Sequence, residues 1–213
     1  HHRQSGDVIE HATLSYIEPY ASSACEMIAE ILQYSMDKPK LRPAEADAMY
    51  AGILVDTDNF VTKTGVRTFE AASFLRKNGA DMTRVRKAYR SDLDSYRQIA
   101  QGVARAEIYL ESFAISDMPT EGVDSPTVLA AKVANDLLDI DDVRASFVMT
   151  KIDNTVYVSA RSIDDVNVQV IMEKFGGGGH GTVAGAQIED KSIDEVKQDI
   201  RDLLLTMNTD GEI

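Results

Sequence analysis

Four consecutive glycines followed by a histidine are the feature that most constrains this chain. Glycine has no side chain to cover its backbone N–H group, so such a run lets the main chain approach a ligand closely or wrap an oxyanion. A helix is predicted before the run and a strand after it, which favours a phosphate- or nucleotide-binding loop over the alternative of a flexible turn. The run consists of Gly176, Gly177, Gly178, Gly179 and His180.

Two side chains near this glycine loop are candidate phosphate ligands. His180 can donate a hydrogen bond to phosphate when protonated, or share a proton when neutral. Arg161 ends a predicted strand, and its guanidinium could form a bidentate contact with phosphate. A single arginine at a strand end is usually solvated, so Arg161 is a candidate only because the glycine loop follows it.

A second candidate site follows the apolar residues 52–55, which we expect to be a buried segment that ends on Asp56. A carboxylate in this position is a typical metal ligand, because the buried element fixes the oxygen and the following loop leaves the metal open. Local capping is the alternative for Asp56, and Asp58 and Asn59 are expected to serve a turn. The chain opens on His1 and His2, which are either the remains of a purification tag or metal ligands.

The first half of the sequence is helix-rich. Helical spacing predicts helices after Pro19, after Pro43 and over residues 68–78 and 92–110. Residues 116–126 are rich in turn formers and acids, and we predict that they form a linker between two domains.

The second half alternates strands and helices. Residues 145–150 and 155–159 flank Asp153 and Asn154 as a β-hairpin. A short helix over residues 166–174 leads into the glycine loop, a strand over residues 183–188 follows, and Ser192 opens a last helix as a capping box. The predicted division is therefore residues 1–115, a linker at 116–126, and residues 127–213.

The net charge of the chain limits the classes of molecule that it can bind. The 213 residues carry 22 Lys and Arg against 35 Asp and Glu, a net charge of −13 that disfavours long nucleic acids. A small anionic substrate stays compatible, because a bound divalent cation reverses the local sign. Cys25 is the single cysteine, which fits a reducing compartment, and no apolar stretch is long enough to span a bilayer. We therefore expect a cytoplasmic segment without membrane contact.

These residues together resemble the DHH–DHHA1 phosphoesterase superfamily. The glycine loop with His180 resembles the glycine-rich motif of the DHHA1 domain, and residues 16–23 and 159–173 resemble the GdpP-type cyclic di-AMP phosphodiesterases. The resemblance covers essentially the whole chain. It implies an α/β fold in which the C-terminal part of a helix-rich DHH domain precedes an α+β DHHA1 domain.

The resemblance also implies the roles of site residues. His1, His2 and Arg3 resemble the end of an Asp-His-His-Arg motif whose aspartate is absent, so His1 and Asp56 correspond to metal ligands and His2 to a supporting catalytic residue. Arg161, Ser162 and the glycine loop with His180 correspond to substrate-binding residues. The metal implied is Mn²⁺, as two ions. Further upstream metal motifs of the family have no counterpart, so this chain alone is expected to be inactive.

The implied activity is hydrolysis of cyclic di-AMP to 5′-pApA by a two-metal mechanism. The expected partners are cyclic di-AMP or a linear dinucleotide, and the resemblance also allows a homodimer and a membrane-anchored full-length protein. Two alternatives stay open: an oligoribonuclease or single-strand exonuclease of the same superfamily, and a non-catalytic RNA-binding DHHA1 module.

Overall fold

The structure is a computed structural model that describes residues 11–37, 39–163 and 166–213. The chain divides into two compact units, one ending at Arg90 and the other spanning Ser91–Ile213. Among the described residues no helix is both long and apolar enough to cross a membrane.

The described part of the first unit consists of helices α1 (Ala24–Tyr34), α2 (Pro43–Asp56), α3 (Val66–Lys77) and α4 (Met82–Ala88). Local signals set their ends: the Ser23 side chain accepts from Glu26 N–H at the start of α1, Pro43 occupies the first turn of α2, and Asp81 caps α4. The core of this unit consists mostly of alanine side chains that pack around Ile53 and Leu75.

The apolar residues 52–55 were expected to form a buried segment, and the structure corrects this expectation. They are the last turn of α2, in which Ile53 is buried but Val55 is 63% exposed. A helix presents only one face to the core, so four consecutive apolar residues cannot all be buried on it. The turn predicted after it is confirmed, because Asp58 and Asn59 adopt positive φ angles of 45° and 57°.

The second unit is built on a six-stranded sheet with the order β1-β2-β3-β4-β6-β5, in which β2 and β3 are parallel and all other neighbours are antiparallel. The elements, in chain order, are α5 (Leu93–Ala104), β1 (Glu107–Tyr109), β2 (Phe113–Met118), α6 (Pro126–Leu137), β3 (Ala145–Ile152), β4 (Thr155–Ser162), α7 (Val168–Glu173), β5 (Gly178–His180), β6 (Val183–Glu189) and α8 (Ile193–Thr209).

Helices cover both faces of this sheet. Phe147 and Met149 of β3 pack in one apolar cluster with α7 and α8, whereas Val148 between them packs in another cluster with α5 and α6. The alternation follows from the two-residue period of a strand. The predicted hairpin is confirmed as β3 and β4, with Asp153 at a φ of 52° in the turn, and Ser192 and Glu195 form the predicted capping box.

Two boundaries differ from the prediction. The helix predicted over residues 92–110 ends at Ala104, and β1 follows. The linker predicted at residues 116–126 begins inside β2, where the hydroxyl of buried Ser116 donates to the Gly102 carbonyl and Asp117 pairs with Arg105 and Lys197. Polar residues that resembled a linker are thus paired within the fold, and the two units divide at Arg90 and Ser91 instead.

Candidate substrate-binding site

The glycine loop follows the C-terminal end of α7 and continues into the edge strand β5. Gly176 N–H donates to Glu173 O at 3.1 Å and Gly177 N–H donates to Met172 O at 2.9 Å, so both groups satisfy carbonyls at the end of α7. The sequence suggested that all of these N–H groups could face an oxyanion. The structure corrects this for Gly176 and Gly177, whose N–H groups already have partners.

Close packing against β6 explains why two of these positions must be glycine. A Cβ atom at Gly177 would lie 2.1 Å from the carbonyl oxygen of Gly185, and one at Gly179 would lie 2.3 Å from the carbonyl oxygen of Val183. Both distances are far shorter than van der Waals contact. Gly178 differs, because a Cβ atom there would meet nothing within 4 Å.

The register of the sheet brings Arg161 and His180 to one face. Arg161 on β4 and His180 on β5 are both opposite Val183, which lies between them on β6. Residues directly opposite one another in a ladder project from the same face. Arg161 is half-buried, with Nη1 donating to Ala160 O at 2.9 Å, and His180 is exposed.

Ser162 is not brought together with these two residues. It is buried and projects from the other face of β4, and its hydroxyl donates to Val166 O at 2.6 Å. That bond holds the end of β4 to the segment before α7. Ser162 therefore has its donor in use within the domain.

A cavity of about 440 Å³ adjoins the glycine loop on the same face of the sheet as Arg161. Tyr157 lies opposite Gln187 and Ser159 lies opposite Gly185 in the pairing of β4 with β6. No motif in the sequence marks Tyr157 or Gln187, but the two-residue period of β4 was a signal that could have placed Tyr157 beside Arg161. The lining residues are Thr127, Tyr157, Val158, Ser159, Gly176, Gly177, Gly178, Gly185, Ala186 and Gln187.

Asp56 lies in the first unit, at the last position of α2, and is half-buried. Thr57 ends the helix by donating from its hydroxyl to Ile53 O at 2.7 Å. Burial raises the pKa of the half-buried Cys25 thiol, and the negative charge of Asp56 adds a smaller increase in the same direction.

His1, the other predicted metal ligand, and His2, the predicted supporting residue, cannot be placed beside Asp56. His1 and His2 lie outside the described residues. Within the described part of the chain, no group of three or more His, Cys, Asp or Glu side chains could hold a metal ion. Asp56 therefore has no two further candidate ligands beside it among the described residues.

Comparison with known proteins defines the class. The chain matches the DHH family N-terminal domain over residues 1–53 and the DHHA1 domain over residues 112–206. The chain therefore contains part of a DHH domain followed by a DHHA1 domain.

Within that class the chain is similar to named phosphodiesterases. It is 46% identical over 205 residues to the cyclic-di-AMP phosphodiesterase GdpP of Geobacillus thermodenitrificans, covering 96% of this chain and 31% of that protein. It is 43% identical over 201 residues to the cyclic-di-AMP phosphodiesterase PdeA of Listeria monocytogenes, covering 94% of this chain and 30% of that protein. The chain thus spans about a third of the length of these curated relatives.

A solved structure shares the fold. An exopolyphosphatase-related protein from Bacteroides fragilis superimposes with a TM-score of 0.80 at 18% sequence identity, covering 95% of this chain and 61% of the other. This likeness shows the α/β fold and carries no conclusion about the substrate.

Proposed function

We propose that this chain is the substrate-binding part, with a portion of the catalytic domain, of a cyclic di-AMP phosphodiesterase. One observation carries the proposal: three relatives that share 46%, 43% and 41% identity with at least 94% of this chain all bear that name. The glycine loop, Arg161 and His180 supply the kind of site that such a substrate needs.

The proposed reaction is hydrolysis of one phosphodiester bond. The oxygen of a water molecule attacks phosphorus, the bond between phosphorus and the 3′-oxygen breaks, and the 3′-oxygen leaves with a proton. The product is linear 5′-pApA. Arg161 and His180 would bind phosphate oxygens from the shared face of β4 and β5, because charged or protonated donors bind phosphate more strongly than neutral ones do.

The metal component is a separate part of the proposal. A metal ion would activate the attacking water and stabilise the developing charge. Asp56 is the one candidate ligand among the described residues; His1, His2 and the identity of the ion as Mn²⁺ stay predictions from the family resemblance. Homodimer formation and membrane anchoring of the whole protein are predictions of the same kind.

Metal binding by Asp56 can be tested without any activity. Mn²⁺ is paramagnetic and broadens the NMR signals of nearby amides. We expect selective broadening around Asp56, which Asp56→Asn removes while Asp58→Asn on the adjacent turn retains it. Broadening that is unchanged in Asp56→Asn would contradict the assignment of this ligand.

Turnover by the whole protein tests the proposed substrate. Cyclic di-AMP, pApA and short RNA are supplied at equal concentration and the products are separated by chromatography. We expect cyclic di-AMP to be consumed fastest, with pApA as the product. Preferential consumption of pApA or RNA would favour an oligoribonuclease or exonuclease instead, and no hydrolysis with RNA binding retained would favour an RNA-binding module.

A variant separates substrate binding from metal binding. His180→Ala should reduce cyclic di-AMP turnover strongly and leave Mn²⁺ affinity unchanged, because His180 is a predicted phosphate ligand and not a metal ligand. Glu189→Ala, an exposed change at the far end of β6, is the matched control. Equal loss of turnover and metal affinity in His180→Ala would count against the proposed role.

A further inference from the structure

We propose that Ser162 is a positioning residue, whose buried hydroxyl fixes the turn that follows His180 and so holds His180 in place relative to Arg161. The inference rests on the proposed function and deepens it, because Arg161 and His180 are the proposed phosphate ligands. It replaces the substrate-binding role that the family resemblance implies for Ser162. It concerns the second unit alone.

The Ser162 side chain is not available to a substrate. The residue is 5% exposed, and its hydroxyl donates to Val166 O at 2.6 Å. Ala160 and Val158, which share its face of β4, pack in the apolar cluster that contains α7. Arg161 projects from the opposite face. A hydroxyl buried behind the sheet can therefore influence a ligand at Arg161 only through the backbone.

Three hydrogen bonds connect Ser162, the start of α7 and the turn between β5 and β6. Gly181 and Thr182 form this two-residue turn. Ser162 N–H donates to Thr182 O at 3.0 Å, and Val168 N–H donates to Gly181 O at 2.8 Å. The third bond is the one from the Ser162 hydroxyl to Val166 O. Both residues of the turn are thus held by donors that the Ser162 hydroxyl ties together.

The hydroxyl bond determines where the start of α7 lies. Val166 is 1% exposed, and a buried carbonyl that loses its hydrogen-bond partner is costly. Asn167 caps α7 by accepting from two N–H groups of its first turn, so the residues around it move together with the helix start. Without the hydroxyl, we expect this segment to shift and the bond from Val168 N–H to Gly181 O to weaken.

Chain order links this network to the phosphate ligands. Arg161 immediately precedes Ser162, and His180 immediately precedes Gly181. His180 is exposed, so packing does not fix its position. A ligand group has to be held within roughly 0.5 Å of its productive geometry, and neighbouring residues that are themselves hydrogen-bonded provide this. Loss of the Ser162 hydroxyl should therefore weaken the phosphate contact of His180.

The first test needs no ligand and uses NMR measurement of amide hydrogen exchange in the 213-residue chain. In Ser162→Ala, we expect the Val168 amide to exchange about tenfold faster relative to the amide of Phe147 in the core of the sheet. This ratio removes any change in global stability. Ser116→Ala is the matched control, because Ser116 is fully buried and its hydroxyl donates to Gly102 O at 2.5 Å on another part of the sheet. An unchanged ratio in Ser162→Ala would overturn the inference.

The second test measures the affinity for cyclic di-AMP by calorimetry, after circular dichroism has shown that each variant is folded. Ser162→Ala should bind about tenfold more weakly, because a charge-assisted phosphate contact is misplaced. Ser162→Thr, which keeps the hydroxyl, and Ser116→Ala should bind as the unmodified chain does. Equal weakening in Ser162→Thr or in Ser116→Ala would show that the Ser162 hydroxyl has no specific role.

A double-mutant cycle tests whether Ser162 acts through His180. When His180 is already alanine, Ser162→Ala should weaken cyclic di-AMP binding by less than about twofold, because the contact that it positions is absent. A general loss of structure would instead weaken binding in both backgrounds alike. Losses that multiply in full would therefore overturn the inference.

The two tests separate this inference from the proposed function. If the unmodified chain does not bind cyclic di-AMP, the proposed function is contradicted, and the exchange ratio still decides whether the Ser162 hydroxyl holds the turn. If cyclic di-AMP binds with equal affinity to Ser162→Ala and to the unmodified chain, the positioning role is wrong and the proposed function stands.

Discussion

Arg161 and His180 lie opposite the same residue, Val183, on the two sides of β6. Two strand spacings separate them, roughly 10 Å, and both belong to the face that carries the cavity. A ligand with two phosphate groups can therefore be contacted from both strands. This arrangement depends on β5 packing tightly against β6, which the glycines permit.

The first prediction concerns that packing. Gly177→Ala should destabilise the second unit by about 1–3 kcal/mol, because its Cβ atom would meet the backbone of β6 at Gly185. Gly178→Ala is the matched control, since its Cβ atom would meet nothing. Urea denaturation of both variants measures the difference. Equal stabilities would mean that the loop is not held against β6 as described.

Local signals in the sequence were sufficient to predict much of the fold. The Asp153 turn and the Ser192 capping box depend on residues a few positions apart, so both were predicted correctly. The predicted linker starts too early, inside β2, because the partners of Ser116 and Asp117 lie on other elements. Pairings between distant segments cannot be obtained from composition.

The candidate site was predicted only in part for the same reason. The glycine loop was visible as a sequence run, but the use of the Gly176 and Gly177 N–H groups by α7 requires the helix end to be known. Tyr157 and Gln187 are 30 positions apart and meet only through the register of β4 and β6. No local pattern marks such a pair.

A second prediction concerns a buried carboxylate in the first unit. Glu26 is 1% exposed and accepts hydrogen bonds from the hydroxyls of Ser22 and Thr68, the latter at 2.6 Å. Thr68→Val removes one hydrogen-bond donor from this buried carboxyl group, and should cost about 1–3 kcal/mol in the free energy of unfolding. Thr68→Ser, which keeps the hydroxyl, should cost less in the same denaturation experiment. A larger loss in the serine variant would contradict this explanation.

The third prediction is a dependence of stability on pH. Two hydrogen bonds hold the pKa of Asp47 below its usual range. The larger effect comes from the Arg84 guanidinium and the smaller from the Asp81 N–H, and each donor nitrogen lies 2.6 Å from an Asp47 oxygen. A lowered pKa in the folded state adds stability above the unfolded-state value of about 3.9, and that stability is lost as pH falls through the folded-state pKa. Asp47→Asn should therefore lower the Tm at pH 7 more than at pH 3. A Tm difference that does not shrink on acidification would show that the ion pair is not its origin.

The fourth prediction concerns the Cys25 thiol. Burial and the Asp56 charge both raise its pKa, so removing the charge should lower it. In the metal-free chain, Asp56→Asn should move the pH profile of iodoacetamide alkylation towards lower pH, because the thiolate is the reactive form. Asp58→Asn is the control, and a shift of the same size in that variant would argue against a specific effect of Asp56.

Titration of the chain with cyclic di-AMP tests the central claim most directly. Calorimetry should give saturable binding, weakened about tenfold in His180→Ala because a charge-assisted phosphate contact is lost, and unchanged in Glu189→Ala. Absence of binding, or equal affinity of His180→Ala and the unmodified chain, would contradict the assignment of this face of the sheet as the substrate-binding site.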